Sequence, residues 1–173
     1  MKSWDLRVAS IGVAAANSWF NTVERLAAQP RAEFPGVSSF RRYASRLSTS
    51  KVAVIGHFPG LDQHVAEHDL IILERRPDDL DLPDSACEYV LADRELVFIT
   101  ATTLANKTLP RLLDLTADAQ VMLVGPSTPF APEVFDGRVA EETKAWPALA
   151  HFNAPLEADP RPTALSGSGL TNA

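Results

Sequence analysis

Apolar and polar positions divide the chain into three zones. From Leu6 to Ala28, apolar side chains recur at Val8, Ile11, Ala15, Trp19, Val23 and Leu26, with Glu24 and Arg25 off the stripe. This spacing predicts an amphipathic helix. The stripe is too apolar to face water along its length, so it must cover either the main domain or a second chain. From Gln29 to Ser50 the period is lost among Pro30, Pro35, Gly36 and a run of Ser and Arg, and the segment reads as a linker.

The second zone, Lys51 to Gly137, alternates compact apolar runs with helix-like stretches. Val52–Ile55, Leu70–Leu73, Leu96–Ile99 and Val121–Val124 are four such runs, each followed by Gly, Thr or Glu. Unbroken runs of this length suit strands buried on both faces. Helical candidates lie between them at Leu61–His68, Ser85–Ala92 and Leu109–Leu115. Strict alternation implies right-handed crossovers. The fold class is therefore α/β: a Rossmann-like parallel sheet with flanking helices, plus the amino-terminal helix. The four runs are expected in spatial order third-second-first-fourth or a close variant. After about Pro147 the chain carries Pro155, Pro160, Pro162 and Ser166-Gly167-Ser168-Gly169, which predicts a flexible tail. The expected division is 1–50 for amino-terminal helix and linker, 51–146 for the Rossmann-like domain and 147–173 for the tail.

In an open parallel sheet, ligands bind beyond the carboxyl ends of the strands. Gly56-His57-Phe58-Pro59-Gly60 follows the first run. It is either a simple turn or a close backbone approach to a ligand. Glu74 ends the second, where an acid can hold ribose hydroxyls. Arg75 and Arg76 either counter a negative ligand or pair with Asp78 and Asp79. The third run leads into Thr100, Thr102, Thr103, Asn106, Lys107 and Thr108, a polar set larger than helix capping requires. A helix starting near Thr108 would leave Asn106 and Lys107 in a loop facing the crevice. One starting near Thr103 would be kinked by Pro110. After the fourth run, Gly125-Pro126-Ser127-Thr128-Pro129 is either a pre-organised ligand loop or a rigid turn.

Composition narrows the function. Lys plus Arg number 16 against 22 Asp plus Glu, a net charge of -6, so phosphate backbones of nucleic acids gain no general attraction. Cys87 is the single cysteine, which excludes an internal disulfide and fits a reducing compartment. No run of about 18 apolar residues could span a membrane, and the first residues do not read as a signal peptide. A cytoplasmic location is expected. His64 and His68 would share a helix face and could chelate a metal, without an evident third ligand. Cys87 has no basic neighbour to lower its pKa. Walker A, G-x-S-x-G and H-E-x-x-H are absent. Lys107 and His57 are the basic groups available for catalysis, with no evident nucleophile beside them.

Three segments, "VAVIGHFPGL", "ERRPDDLDLPDSACEYVLADRELVFITATTLANKTLPRLLDL" and "VMLVGPSTPF", resemble in order and spacing a family of uncharacterised bacterial and archaeal proteins known as "putative heavy-metal chelation". The resemblance implies a small enolase-N-terminal-like domain followed by a Rossmann-like one. "IGVAAANSWFN" is similar to the segment closing the smaller domain, with Gly12, Ala14 and Asn17 at matching positions. Most of that domain has no counterpart here, so the chain reads as amino-terminally truncated. The resemblance further implies binding of a small polar or heterocyclic molecule, such as a metal-chelating metabolite, a pterin-like compound or an adenosyl ligand, with metal bound directly or through a chelator. The expected ligand-binding set is Asn17, Gly56, His57, Phe58, Pro59, Glu74, Thr100, Thr102, Thr103, Asn106, Lys107, Gly125, Pro126, Ser127 and Thr128. The rival reading is a non-catalytic module that needs another subunit, as a homodimer or with a separate domain, to complete its cleft.

Overall fold

A computed structural model describes residues 1–27, 40, 43–58, 61, 68–125, 127–135 and 138–139. Five parallel strands form one sheet: β1 (Val52–Ile55), β2 (Leu70–Glu74), β3 (Leu82–Pro83), β4 (Leu96–Thr100) and β5 (Gln120–Val124). The described helices are α1 (Leu6–Phe20), α2 (Val23–Ala27), α3 (Ala44–Leu47), α4 (Cys87–Val90), α5 (Thr103–Asn106), α6 (Leu109–Leu115) and α7 (Pro132–Phe135), with a 3₁₀ turn at Asp84–Ala86 before α4. The fold is α/β, as the alternation predicts. The predicted helix at Leu109–Leu115 forms with those bounds, whereas most of Leu61–His68 lies outside the described residues.

The sheet divides its side chains by the period of two. Ala53, Ile55, Leu73, Val97, Ile99, Val121 and Leu123 form one core with Cys87, Leu91, Leu109 and Leu112. Val52, Val54, Leu70, Ile72, Leu96, Phe98, Met122 and Val124 form the other, with Tyr43, Leu47 and Leu61. Because both faces are covered, every residue of β1 is buried. The ring of Phe98 lies 4.8 Å from Phe40 and 5.7 Å from Tyr43 between centroids. The carboxyl end of the expected linker therefore helps build the second core. Its apolar residues are too few and too close together to show a period.

Strand order is β3-β2-β1-β4-β5, which corrects the expected placement of the third run outside the second. The position beyond β2 is occupied by Leu82–Pro83, in register with Leu73 and Glu74. Proline cannot donate to a ladder and is confined to such an edge. The chain therefore crosses back and lays β4 against β1, Val52–Ile55 opposite Leu96–Ile99. The order reverses between β1 and β4, and this is the topological switch point where a crevice opens.

Helix α1 begins at Asp5, whose carboxylate accepts from the Arg7 and Val8 amides. It packs against α5, with Ala9 and Val13 buried. The expected stripe is on the wrong side: Ile11 and Trp19 are each 70% exposed, and Val8, Ala15 and Val23 are exposed too. Leu26 lies outside the described side chains. Docking selects the face with small residues and with Asn17 and Asn21, since close approach and backbone hydrogen bonds outweigh apolar size here. The helix also breaks after Phe20, at Asn21.

Candidate functional site

The strands end in turns made by their own sequence, β1 at Gly56 and β5 at Gly125. Gly56 has φ +100° and Gly125 has φ +114°, a region that L side chains rarely enter. A Cβ on Gly56 would stand 3.0 Å from Cγ2 of Thr100, so the ends of β1 and β4 meet closely. Beyond β4, Thr103 is buried and its hydroxyl donates to the Thr100 carbonyl at 2.6 Å, starting the single turn α5. Lys107 then adopts φ 69°, and α6 begins with Pro110 in its first turn. Both sequence readings of this stretch hold in part: a helix starts at Thr103, and a second one follows Thr108.

The ends of β1, β2 and β4 border a cavity of about 360 Å³ beside the switch point. Its floor is apolar, with Ile55, Leu73, Leu112 and Leu115. Glu74, Arg75, Asp84 and Ser85 line it from the β2 side, and Thr100, Thr102, Thr103, Asn106, Lys107 and Thr108 from the β4 side. Glu88 of α4 and Arg111 of α6 join across its wall, with Nε of Arg111 donating to Oε1 of Glu88 at 2.9 Å. The hydrogen bond from Arg111 holds the Glu88 carboxyl below its usual range, and Glu88 in turn raises the guanidinium. Burial, reinforced by the charge of Asp84, pushes the Cys87 thiol up to about 11, so it is protonated at neutral pH. At that pH it is not an activated nucleophile.

Gly56, Glu74, Thr100, Thr102, Thr103, Asn106 and Lys107 of the expected set line this cavity. Glu74 is heavily used by the backbone: Oε2 accepts from the His57 amide at 3.0 Å, and Oε1 from those of Arg75 at 2.7 Å and Arg76 at 3.3 Å. It ties together the turns after β1 and β2, and only its remaining lone pairs face a ligand. Asn106 Oδ1 accepts from the Thr108 amide and hydroxyl. The Thr100 and Thr102 hydroxyls lie 3.1 Å apart at the cavity. Lys107 Nζ donates to the Ala105 carbonyl and sits 5.2 Å from the Trp4 ring centroid.

Asn17 and Ser127 line a second cavity, of about 370 Å³, between α1 and the loops, and Thr102 borders both. Asn17 donates to the Ser127 carbonyl at 3.0 Å. Thr128 is buried, its hydroxyl donating to the Gly125 carbonyl. Gly125, Thr128, His57 and Phe58 line neither cavity. Phe58 joins the aromatic cluster, 5.4 Å from Phe40, and His57 turns to Asp81, its Nδ1 lying 3.0 and 3.1 Å from the two carboxylate oxygens. Pro59, Pro126 and His64 lie outside the described residues. Arg75 pairs with Asp84 at 3.4 Å rather than with Asp78 or Asp79. Asp84, Ser85, Glu88 and Arg111 escape a search of strand ends because they approach the crevice from the 3₁₀ turn and from α4 and α6.

Comparison with known proteins agrees with this architecture. A crystallised protein of unknown function from the DUF364 family of Desulfitobacterium hafniense superposes with a TM-score of 0.73 at 37% identity, over 80% of this chain and 57% of that one. A Pyrococcus horikoshii protein of the same family shares the fold with a TM-score of 0.61 at 21% identity, over 80% and 56%. An uncharacterized protein of Methanocaldococcus jannaschii is 30% identical over 146 residues, 78% of this chain and 52% of the relative. The chain thus spans about half the length of the curated relative it matches. Among the described residues no helix is long and apolar enough to cross a membrane. The family pattern described as "Putative heavy-metal chelation" matches residues 41–141, more than half of the sequence, and the chain belongs to that family.

Proposed function

We propose that the crevice between β1 and β4 binds a small polar or heterocyclic molecule, within a role in heavy-metal chelation or the metabolism of a chelator or pterin-type compound. The observation that carries this reading is the cavity of about 360 Å³ at the switch point, with a leucine and isoleucine floor beneath a rim of threonine hydroxyls and an amide. That combination is the usual make-up of a small-ligand pocket: apolar area for affinity and a few polar groups for orientation. Thr100, Thr102 and the Asn106 amide supply the orienting groups, and the paired Glu88 and Arg111 close one side.

The test is a thermal-shift and calorimetric screen of adenosyl compounds, pterins and metal–chelator complexes against the native chain and Thr102→Val. Thr102 is exposed, so this near-isosteric change leaves the fold intact, whereas Asn106→Ala would also remove the acceptor for Thr108. A hit should raise native stability by about 2.7 kcal/mol at a hundred times its Kd. Thr102→Val should weaken its binding by about 0.5–1.5 kcal/mol. Equal binding to both forms removes Thr102 from the site, and no hit from any class defeats the reading.

A second reading is a non-catalytic module that joins another subunit. It draws on the exposed Ile11 and Trp19 of α1, since contiguous apolar patches mark interaction surfaces. A concentration-independent monomer by light scattering, with no partner recovered on cross-linking in cells, would count against it.

A further inference from the structure

The turn after β1 and the loop after β2 bring together three metal-ligating side chains that line neither cavity. We infer that His57, Asp78 and Asp81 form a binding site for one divalent transition-metal ion, held by imidazole nitrogen and carboxylate oxygen. Each offers one ligand atom, and all three atoms lie within 4.8 Å of one another. Atoms bound to one ion at about 2.1 Å stand roughly 3.0 to 4.2 Å apart. His57 Nδ1 and the Asp81 oxygens already satisfy that spacing at 3.0 and 3.1 Å. Asp78 is exposed, and its ligand oxygen lies within 4.8 Å of the other two ligand atoms.

Charge separates this reading from a plain histidine–aspartate contact. The Asp81 side chain is 0% exposed, and a buried carboxylate demands compensation. A protonated His57 would balance one of the two carboxylates. Among the described residues no other cation pairs with Asp78 or Asp81; Arg75 is taken by Asp84. The loop nevertheless holds the two acids together: the Asp78 amide donates to Oδ2 of Asp81 at 3.1 Å, and the Asp81 amide to the Asp78 carbonyl at 3.0 Å. A divalent cation replaces the imidazole proton and neutralises both carboxylates. One nitrogen with two hard oxygens selects zinc, manganese, cobalt or nickel rather than a thiophilic ion. Cys87 lines the ligand cavity and is not among the clustered side chains. The site stands on geometry independent of the ligand crevice, and either can fail alone.

The experiment titrates Zn²⁺ into the full chain by calorimetry and follows Mn²⁺ by paramagnetic broadening of amide resonances. Native protein should take up one ion, with broadening centred on His57, Asp78 and Asp81. Asp78→Asn, at an exposed residue, keeps the fold and should weaken binding by roughly tenfold or more, while Asp79→Asn next to it should change nothing. His57→Ala should abolish uptake; if that variant fails to fold, Asp78→Asn decides alone. The assignment is overturned by no stoichiometric uptake, by native affinity in Asp78→Asn, or by broadening centred instead on Thr102 and Asn106.

Discussion

Gly56, Gly125 and Lys107 stand at positive φ where β1, β5 and α5 end, all on the carboxyl side of the sheet. The two glycines make a graded test of how tightly that side is built. Gly125→Ala adds a Cβ no closer than 3.7 Å to a neighbour, so it costs the backbone term alone, about 1–2 kcal/mol. Gly56→Ala adds the same term and drives a methyl against Thr100 at 3.0 Å, so chemical denaturation should show the larger loss. Equal losses would mean that the β1 and β4 turns are not pressed together. Cys87 gives a second reading of the same region. Its thiol, near 11, lies above its ordinary value of 9.0, so the folded state holds the proton more tightly than the unfolded chain. That contribution is complete below pH 9 and fades as pH rises toward 11, so unfolding should become easier across this window. At pH 8, thiol labelling of the native protein should run at the rate of global opening.

Helix α1 illustrates how an element can be found correctly and docked unexpectedly. Asn21 is its anchor: the side-chain amide donates to the Thr128 carbonyl at 3.0 Å, and its oxygen accepts from the Phe130 amide at 2.6 Å. Asn21→Ala strands both backbone groups and should cost about 1–3 kcal/mol, with hydrogen exchange at the Phe130 amide accelerating first. The two faces of α1 should respond oppositely to polar substitution. Val13→Ser, in the docked face, should cost about 2 kcal/mol or more, while Ile11→Ser should stay within about 0.5 kcal/mol. A large loss from Ile11→Ser, growing with protein concentration, would instead reveal a partner on that face.

Across the whole molecule, stability is unevenly spread over the sheet. Phe98 lies in a central strand, fully buried among aromatic rings, and Phe98→Ala should cost about 3–5 kcal/mol. A domain holds only about 5–15 kcal/mol in total, so thermal unfolding should fall sharply. Leu82 sits exposed on the edge strand, and its truncation should cost less than about 1 kcal/mol. The cavity of about 360 Å³ lies instead beside the switch point, where the strand order reverses between β1 and β4.

The four apolar runs and the Gly-, Thr- and Glu-bearing turns after them were legible in the amino-acid order, because burial on both sheet faces demands consecutive apolar residues. The polar run after β4 was legible as a run, but its local uses were not: the Thr103 hydroxyl donates to the Thr100 carbonyl, and Asn106 holds the Thr108 amide and hydroxyl. Strand order was not legible, since it depended on a two-residue edge strand too short to carry a pattern. The docked face of α1 was not legible either: Asn17 and Asn21 matter through carbonyls and an amide more than a hundred residues away. Glu88 meeting Arg111, and His57 meeting Asp81, are likewise encounters between separate elements. Local sequence determines which segments become strands and helices through periodic burial. Only tertiary packing decides which of their polar groups share a site, because that depends on distances no local pattern encodes.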